Sequence, residues 1–230
     1  MFQYCLFDLD GTLTDPKEGI TRSVQHALKY FGIEEPDLDQ LEPFIGPPLK
    51  DSFMEFYHMS EKQALKAVEV YRERFAPIGV LENEMIPGTG RMLSRAREKG
   101  IHLAVASSKP LIFVRQILRH FEIEKYFEVI VGSELDGTRG TKEEVVKEAL
   151  RELGILQMEP EDRKRRCAMV GDRKFDINGA KAYGLTAIGV SFGYAAKGEL
   201  EAAGADMVLD TMEQLERMLV GDEFLEANEY

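Results

Sequence analysis

Two carboxylates, Asp8 and Asp10, stand one residue apart directly after the apolar run Tyr4-Cys5-Leu6-Phe7. That run reads as a short buried strand. In extended chain, residues i and i+2 share a face, so the two acids project side by side and Leu9 turns toward the core. Carboxylates this close repel unless one is protonated or a cation lies between them. A hard divalent ion such as Mg²⁺ relieves that conflict and prefers oxygen ligands. Gly11 permits a sharp turn, and Thr12 offers a hydroxyl and an N–H to an anion. Alone, Asp-x-Asp-Gly also fits a solvated acidic turn, so the rest of the chain has to decide.

The elements that would position these acids follow from periodicity. Asp15-Pro16 reads as an N-cap with Pro at the first helical position. Ile20, Val24, Ala27, Leu28 and Phe31 recur at helical spacing until Gly32. After a Pro- and Gly-rich stretch, helices are predicted around 49–57 and 61–75, with their own small apolar core. From Gly88 onward strand and helix alternate: helix 91–99, strand 101–106, helix from Pro110, strand 127–131, helix 141–153, strand 167–170, helix 176–183, strands 186–190 and 207–209, and helix 212–219. The acidic tail from Gly221 is expected to fray. Strands separated by helices of this length imply an α/β chain with a parallel, doubly wound sheet. Ligands of such sheets bind beyond the carboxyl ends of the strands, where strand order reverses.

Polar residues fall at those ends. Asp8 and Asp10 follow the first strand, Ser107 the second, Lys142 opens the helix after the third, and Asp172 follows the fourth with Asp176 one helical turn on. Phosphate-ester cleavage needs this set: charge neutralisation, an in-line nucleophile and a proton for the leaving oxygen. Asp8 can attack phosphorus and form an aspartyl-phosphate. Asp10 can protonate the leaving alcohol and later deprotonate water. Ser107 can donate to a phosphate oxygen, with Ser108 as its rival and helix capping as its plainer role. Lys142 can serve as a fixed positive charge; Lys109 and Lys147 compete for that part. Asp172 can complete a Mg²⁺ site with Asp8 and the carbonyl of Asp10, and Asp176 can orient metal-bound water or merely cap its helix. Arg173 and Lys174 read as rim charges. The loop Phe44-Ile45-Gly46-Pro47-Pro48, with Lys17 and Lys50 nearby, is the candidate for leaving-group selection; Gly46, Ser108, Lys109, Gly11 and Thr12 are the candidate substrate contacts.

Composition narrows the classes. The 230 residues are 44% hydrophobic and carry a net charge of −12, which disfavours nucleic acid or an anionic membrane as partner. Cys5 and Cys167 both fall in predicted strands and read as apolar core residues of a reducing compartment. No secretion signal or membrane span is visible, so the cytoplasm is the expected location. The four histidines stand singly, without zinc spacing. Arg163-Lys164-Arg165-Arg166 reads as a solvated basic loop.

The set Asp8-Leu9-Asp10-Gly11-Thr12, Ser107, Lys142 and Gly171-Asp172-x-x-x-Asp176 resembles the haloacid dehalogenase (HAD) phosphatase superfamily across nearly the whole chain. The resemblance implies a HAD-like Rossmannoid parallel sheet (residues 1–14 and 84–230) with a helical C1 cap inserted after the first strand (residues 15–83). It favours Lys142 over its rivals, and Asp10 points to Mg²⁺-dependent phosphate chemistry rather than dehalogenation. The runs 45–49, 135–139 and 171–176 are similar to a bacterial group labelled phosphoglycolate phosphatase-like or 5′-nucleotidase, which implies a small-molecule phosphate ester as substrate. Sugar phosphomutases share such a core but tend to carry Arg three residues after the Gly matching Gly46; Leu49 stands there instead. A non-catalytic binding module is the other alternative, disfavoured by the complete set of acids, Ser and Lys.

Overall fold

The computed structural model describes residues 2–221. The expected fraying from Gly221 falls almost wholly outside them. Eight strands occur among the described residues: β1 (Tyr4–Phe7), β2 (Thr14–Asp15), β3 (Glu84–Met85), β4 (His102–Pro110), β5 (Val129–Ser133), β6 (Cys167–Gly171), β7 (Thr186–Val190) and β8 (Met207–Leu209). Six form one sheet in the order β5-β4-β1-β6-β7-β8, with every pairing parallel. β1 lies between β4 and β6, so strand order reverses at its carboxyl end and opens a crevice there. β2 and β3 pair antiparallel where the chain leaves and re-enters the sheet region.

The helices are α1 (Lys17–Tyr30), α2 (Leu49–Tyr57), α3 (Glu61–Arg74), α4 (Thr89–Glu98), α5 (Leu111–His120), α6 (Lys142–Glu152), α7 (Pro160–Arg166), α8 (Lys174–Ala182), α9 (Glu199–Ala203) and α10 (Met212–Val220). α1 to α3 make up the insert between β2 and β3. Ser60 caps α3 and Thr141 caps α6 through reciprocal capping boxes with Gln63 and Glu144, which fixes where each helix starts. α1 begins differently from the sequence expectation: Pro16 is its N-cap, and the Asp15 carboxylate accepts from the Lys17 N–H at 3.0 Å.

The sheet is buried on both faces. One face packs Leu6, Ala104, Met169 and Ala187 against Val145, Val146, Ile177 and Ala180 of α6 and α8. The other packs Phe7, Val105 and Val170 against α4, α5 and α10. The insert was expected to hold a separate small core. Its buried residues, Ile20, Val24, Phe53, Ala64 and Phe75 among them, instead join this second cluster without a break, because Leu9 and Leu13 carry the apolar surface through the first turn. Cys5 and Cys167 are buried and free, and burial raises both thiol pKa values, Cys167 to about 11. Among the described residues no helix is long and apolar enough to cross a membrane.

α7 and α9 escaped the periodicity, being too short to show one. The basic run 163–166 is the last turn of α7 rather than a solvated loop. Arg163 is buried, and its guanidinium donates to the carbonyls of Tyr183 (2.6 Å), Leu156 (2.7 Å) and Met158 (2.6 Å). It stands in for backbone partners that these loop ends lack. Arg163→Met should therefore destabilise the fold by about 3 kcal/mol, since three carbonyls lose a charged donor. Urea unfolding checks this; a loss below about 1 kcal/mol would show that water replaces the guanidinium.

Candidate active site

The site forms where β1, β4, β5 and β6 end. Asp8 continues β1, its N–H donating to the Val170 carbonyl of β6 at 2.9 Å. At Gly11 the chain turns with φ +75°, and a Cβ there would lie 2.1 Å from an Asp172 carboxylate oxygen. Only glycine lets the first loop pack against the fourth this closely. The Gly11 N–H is taken by the Thr14 carbonyl (2.7 Å) and the Thr12 N–H by Leu9 (3.3 Å), while the Thr12 hydroxyl lies 3.5 Å from Asp172. Both residues brace the turn and Asp172, and neither lines the cleft described below.

Lys142, the first residue of α6, is 5% exposed. Its ammonium sits 2.9 Å from Asp8, 2.8 Å from Asp176 and 3.1 Å from the Ala106 carbonyl. Lys109 takes a different carboxylate, forming an ion pair with Asp10 while lying 5.1 Å from the Phe75 ring centre. Two lysines that competed for one role in the sequence thus divide the two acids of the first motif. Ser107, Ser108 and Lys109 were expected just past a strand; they lie within β4, where the register against β5 shifts between Ala106 and Pro110. Pro110 itself is the N-cap of α5, so Ser107 does not cap that helix; its oxygen accepts from the Lys109 N–H at 3.4 Å.

Asp8, Asp172 and Asp176 each bring a carboxylate oxygen within 4.8 Å of the other two, and all three are buried. Asp176 also accepts from the Arg173 N–H at 3.0 Å, so one side chain both caps α8 and joins the cluster. Asp172 accepts from the Tyr194 N–H at 2.8 Å, and the Tyr194 hydroxyl donates to Asp15 at the foot of the insert. Burial pushes the Asp172 carboxyl well above its ordinary range, with Asp176 and Asp8 adding to the effect. Asp176 moves the same way, to about 6, burial outweighing the attraction of Lys142. Burial also raises Asp10, against the pull of Lys109. One oxygen each of Asp8, Asp10 and Asp176 lacks an aligned hydrogen bond. Three buried carboxylates against one ammonium leave negative charge unbalanced. An all-oxygen donor set of this kind suits a hard divalent cation.

Asp8, Asp10, Gly46, Ser107, Ser108, Lys109 and Thr141 open onto a cleft of about 690 Å³ between the insert and the sheet. Its walls are largely apolar. Tyr71 and Phe75 stack at 5.1 Å, and Phe75 meets Phe113 edge-on at 5.2 Å. The loop 46–51 and residues 133–137 complete it. Of its lining cations, Lys50 pairs with Glu61, Arg72 donates to the Leu135 carbonyl and Lys109 holds Asp10. Lys17 is bound by Asp39 and Glu42 and does not line the cleft. The sequence reading missed the aromatic wall, although Tyr71 and Phe75 do stand at i, i+4 on a helix. It also missed Tyr194, for which no local signal exists.

A cleft lined by Asp8 and Asp10, with Asp8 shared with a buried carboxylate cluster and its lysine behind the cleft wall, fits an α/β hydrolytic enzyme. Residues 5–190 match the family model for haloacid dehalogenase-like hydrolases, and the chain belongs to that family. It is 49% identical over 197 residues to a protein named 5′-nucleotidase from Pseudomonas aeruginosa, covering 86% of each chain. It is 41% identical to the tyrosine-protein kinase PtkA of Mycobacterium tuberculosis over 84% of this chain and 63% of that one. Among solved structures, one described as "a predicted phosphatase from Clostridium acetobutylicum" superposes with a TM-score of 0.88 at 42% identity, covering 98% of this chain and 99% of the other.

Proposed function

We propose that the protein is a Mg²⁺-dependent phosphomonoesterase that works through an aspartyl-phosphate and prefers nucleoside 5′-monophosphates. The observation that carries this reading is Asp8, which lines the aromatic cleft while the buried Lys142 ammonium holds it from behind at 2.9 Å. Residues 15–83 would act as a cap over a core of 1–14 and 84–230, closing to exclude water. Asp8 and Asp172, with Asp176 and the Asp10 main chain beside them, would hold Mg²⁺, which when bound supplies charge neutralisation for the phosphoryl oxygens.

An Asp8 carboxylate oxygen bonds to phosphorus as the ester P–O bond breaks, and Asp10 passes its proton to the leaving oxygen. Water then attacks phosphorus, Asp10 takes the water proton, and the bond to Asp8 breaks to release phosphate. The raised Asp10 pKa supports its acid role. Ser107 would donate to a phosphoryl oxygen, and Lys142 would keep Asp8 aimed.

The walls support the leaving-group preference. A stacked aromatic surface suits a planar base. A carboxylate such as that of glycolate would find every cation lining the cleft already engaged. The relative named 5′-nucleotidase points the same way. Phosphate release from a panel of phosphorylated metabolites, with Mg²⁺ or with EDTA, tests the reading. Nucleoside 5′-monophosphates should exceed phosphoglycolate in kcat/KM by about tenfold or more, one missing ion pair's worth. Best turnover of phosphoglycolate, or undiminished turnover in EDTA, would refute it.

A further inference from the structure

Arg173 follows Asp172 directly, yet its side chain leaves the carboxylate cluster. It reaches across to the insert, where Nη1 donates to the Ile45 carbonyl at 2.6 Å. Nε donates to Glu199 at 3.0 Å, and Glu199 is itself held by the N–H groups of Lys174 (2.9 Å) and Ala196 (3.2 Å). Both charged side chains are largely buried. The guanidinium therefore cannot drift: Glu199 fixes one edge, and its other edge fixes Ile45.

Ile45 closes the 3₁₀ turn Leu38–Phe44, and the chain then runs Gly46-Pro47-Pro48-Leu49-Lys50-Asp51 along the cleft wall. Two successive prolines leave this stretch few alternative conformations. Fixing the Ile45 carbonyl thus sets where Leu49, Lys50 and Asp51 meet a leaving group. Gly46 matches the same device. Its φ is +106°, and a Cβ there would meet Arg173 Cγ at 3.1 Å and Nη1 at 3.2 Å. The loop is glycine at the point where the Arg173 side chain lies against it.

We propose that Arg173 is a positioning residue for leaving-group specificity, holding the 45–51 loop in register with the Asp172 loop through the Ile45 carbonyl. It touches neither phosphorus nor the leaving group. Its effect appears in discrimination between substrates, not in phosphate chemistry itself. The inference rests on the phosphatase reading above.

The test compares the best nucleoside 5′-monophosphate with acetyl phosphate, whose acetate leaving group is too small to use the loop. In Arg173→Met the ratio of kcat/KM values, nucleotide over acetyl phosphate, should fall about tenfold, mainly through KM for the nucleotide; ångström-scale misplacement has effects of this size. Gly46→Ala should lower the same ratio, and the double variant no further than the worse single one, because both act on one contact. Arg173→Lys can reach only one of the two acceptors and should give a smaller fall, which keeps the test usable if Arg173→Met folds poorly. An unchanged ratio, equal losses on both substrates, or additive losses in the double variant would overturn the proposal. Wild-type protein inactive on both substrates would instead defeat the phosphatase reading beneath it.

Discussion

Asp8→Asn should lower kcat by about three orders of magnitude or more, on the order of 4 kcal/mol of transition-state stabilisation. Asn keeps the size of Asp and one oxygen but has lost the nucleophile. The fold should persist, since β1 pairs with β4 and β6 through the backbone and does not depend on this charge. Circular dichroism and melting separate loss of chemistry from loss of structure. The covalent step has its own readout. Borohydride reduces an acyl phosphate to the alcohol, so wild-type protein quenched during turnover should yield homoserine at position 8 by peptide mass. Homoserine at position 10 instead, or turnover by Asp8→Asn comparable to wild type, would overturn the assignment of Asp8 as nucleophile.

Lys142→Met should act on stability as well as rate. The ammonium is the one cation within 3 Å of Asp8 and Asp176 among the described residues. Removing it leaves buried carboxylates facing one another, and breaking a buried pair from one side costs about 3–5 kcal/mol. A divalent ion at the cluster would replace part of the missing positive charge. In EDTA the variant should therefore melt well below wild type, and Mg²⁺ should raise its melting temperature more than it raises that of wild type. Turnover should fall by about two to three orders of magnitude, the scale of losing one preorganised electrostatic group. Equal Mg²⁺ shifts in the two proteins would mean that the ion and Lys142 do not share these carboxylates. A stability loss under about 1 kcal/mol would mean that Lys142 behaves as a surface lysine. Lys109→Met provides the contrast, because Lys109 serves Asp10 and should leave the Mg²⁺ shift near that of wild type.

The sequence alone determined the parallel α/β pattern and where the polar residues fall along it. Strand β7 agrees end to end with the hydrophobic run, and α2 with its periodic stretch, because alternation and helical spacing are local properties of the chain. The end of β1 was legible for the same reason, its apolar run stopping at Asp8, whereas β6 runs one residue past the predicted 167–170, to Gly171. That Asp8, Lys142, Asp172 and Asp176 come from three strand ends or the helices that follow them was likewise readable, since a doubly wound sheet gathers such ends at one edge.

Only the tertiary structure decided who meets whom. Lys109 pairs with Asp10 from the stretch of β4 where the register against β5 shifts, and no spacing rule contains that shift. Tyr71, Phe75 and Phe113 become one wall because the insert packs onto the sheet face through a shared core, not beside it. Arg163 and Arg173 looked like surface charges; each is taken up by a carbonyl distant from it in sequence, Tyr183 for one and Ile45 for the other. Periodicity reports which face of an element is apolar. It does not report the angle at which two elements pack, and a few degrees there choose the partner of every long side chain at the seam.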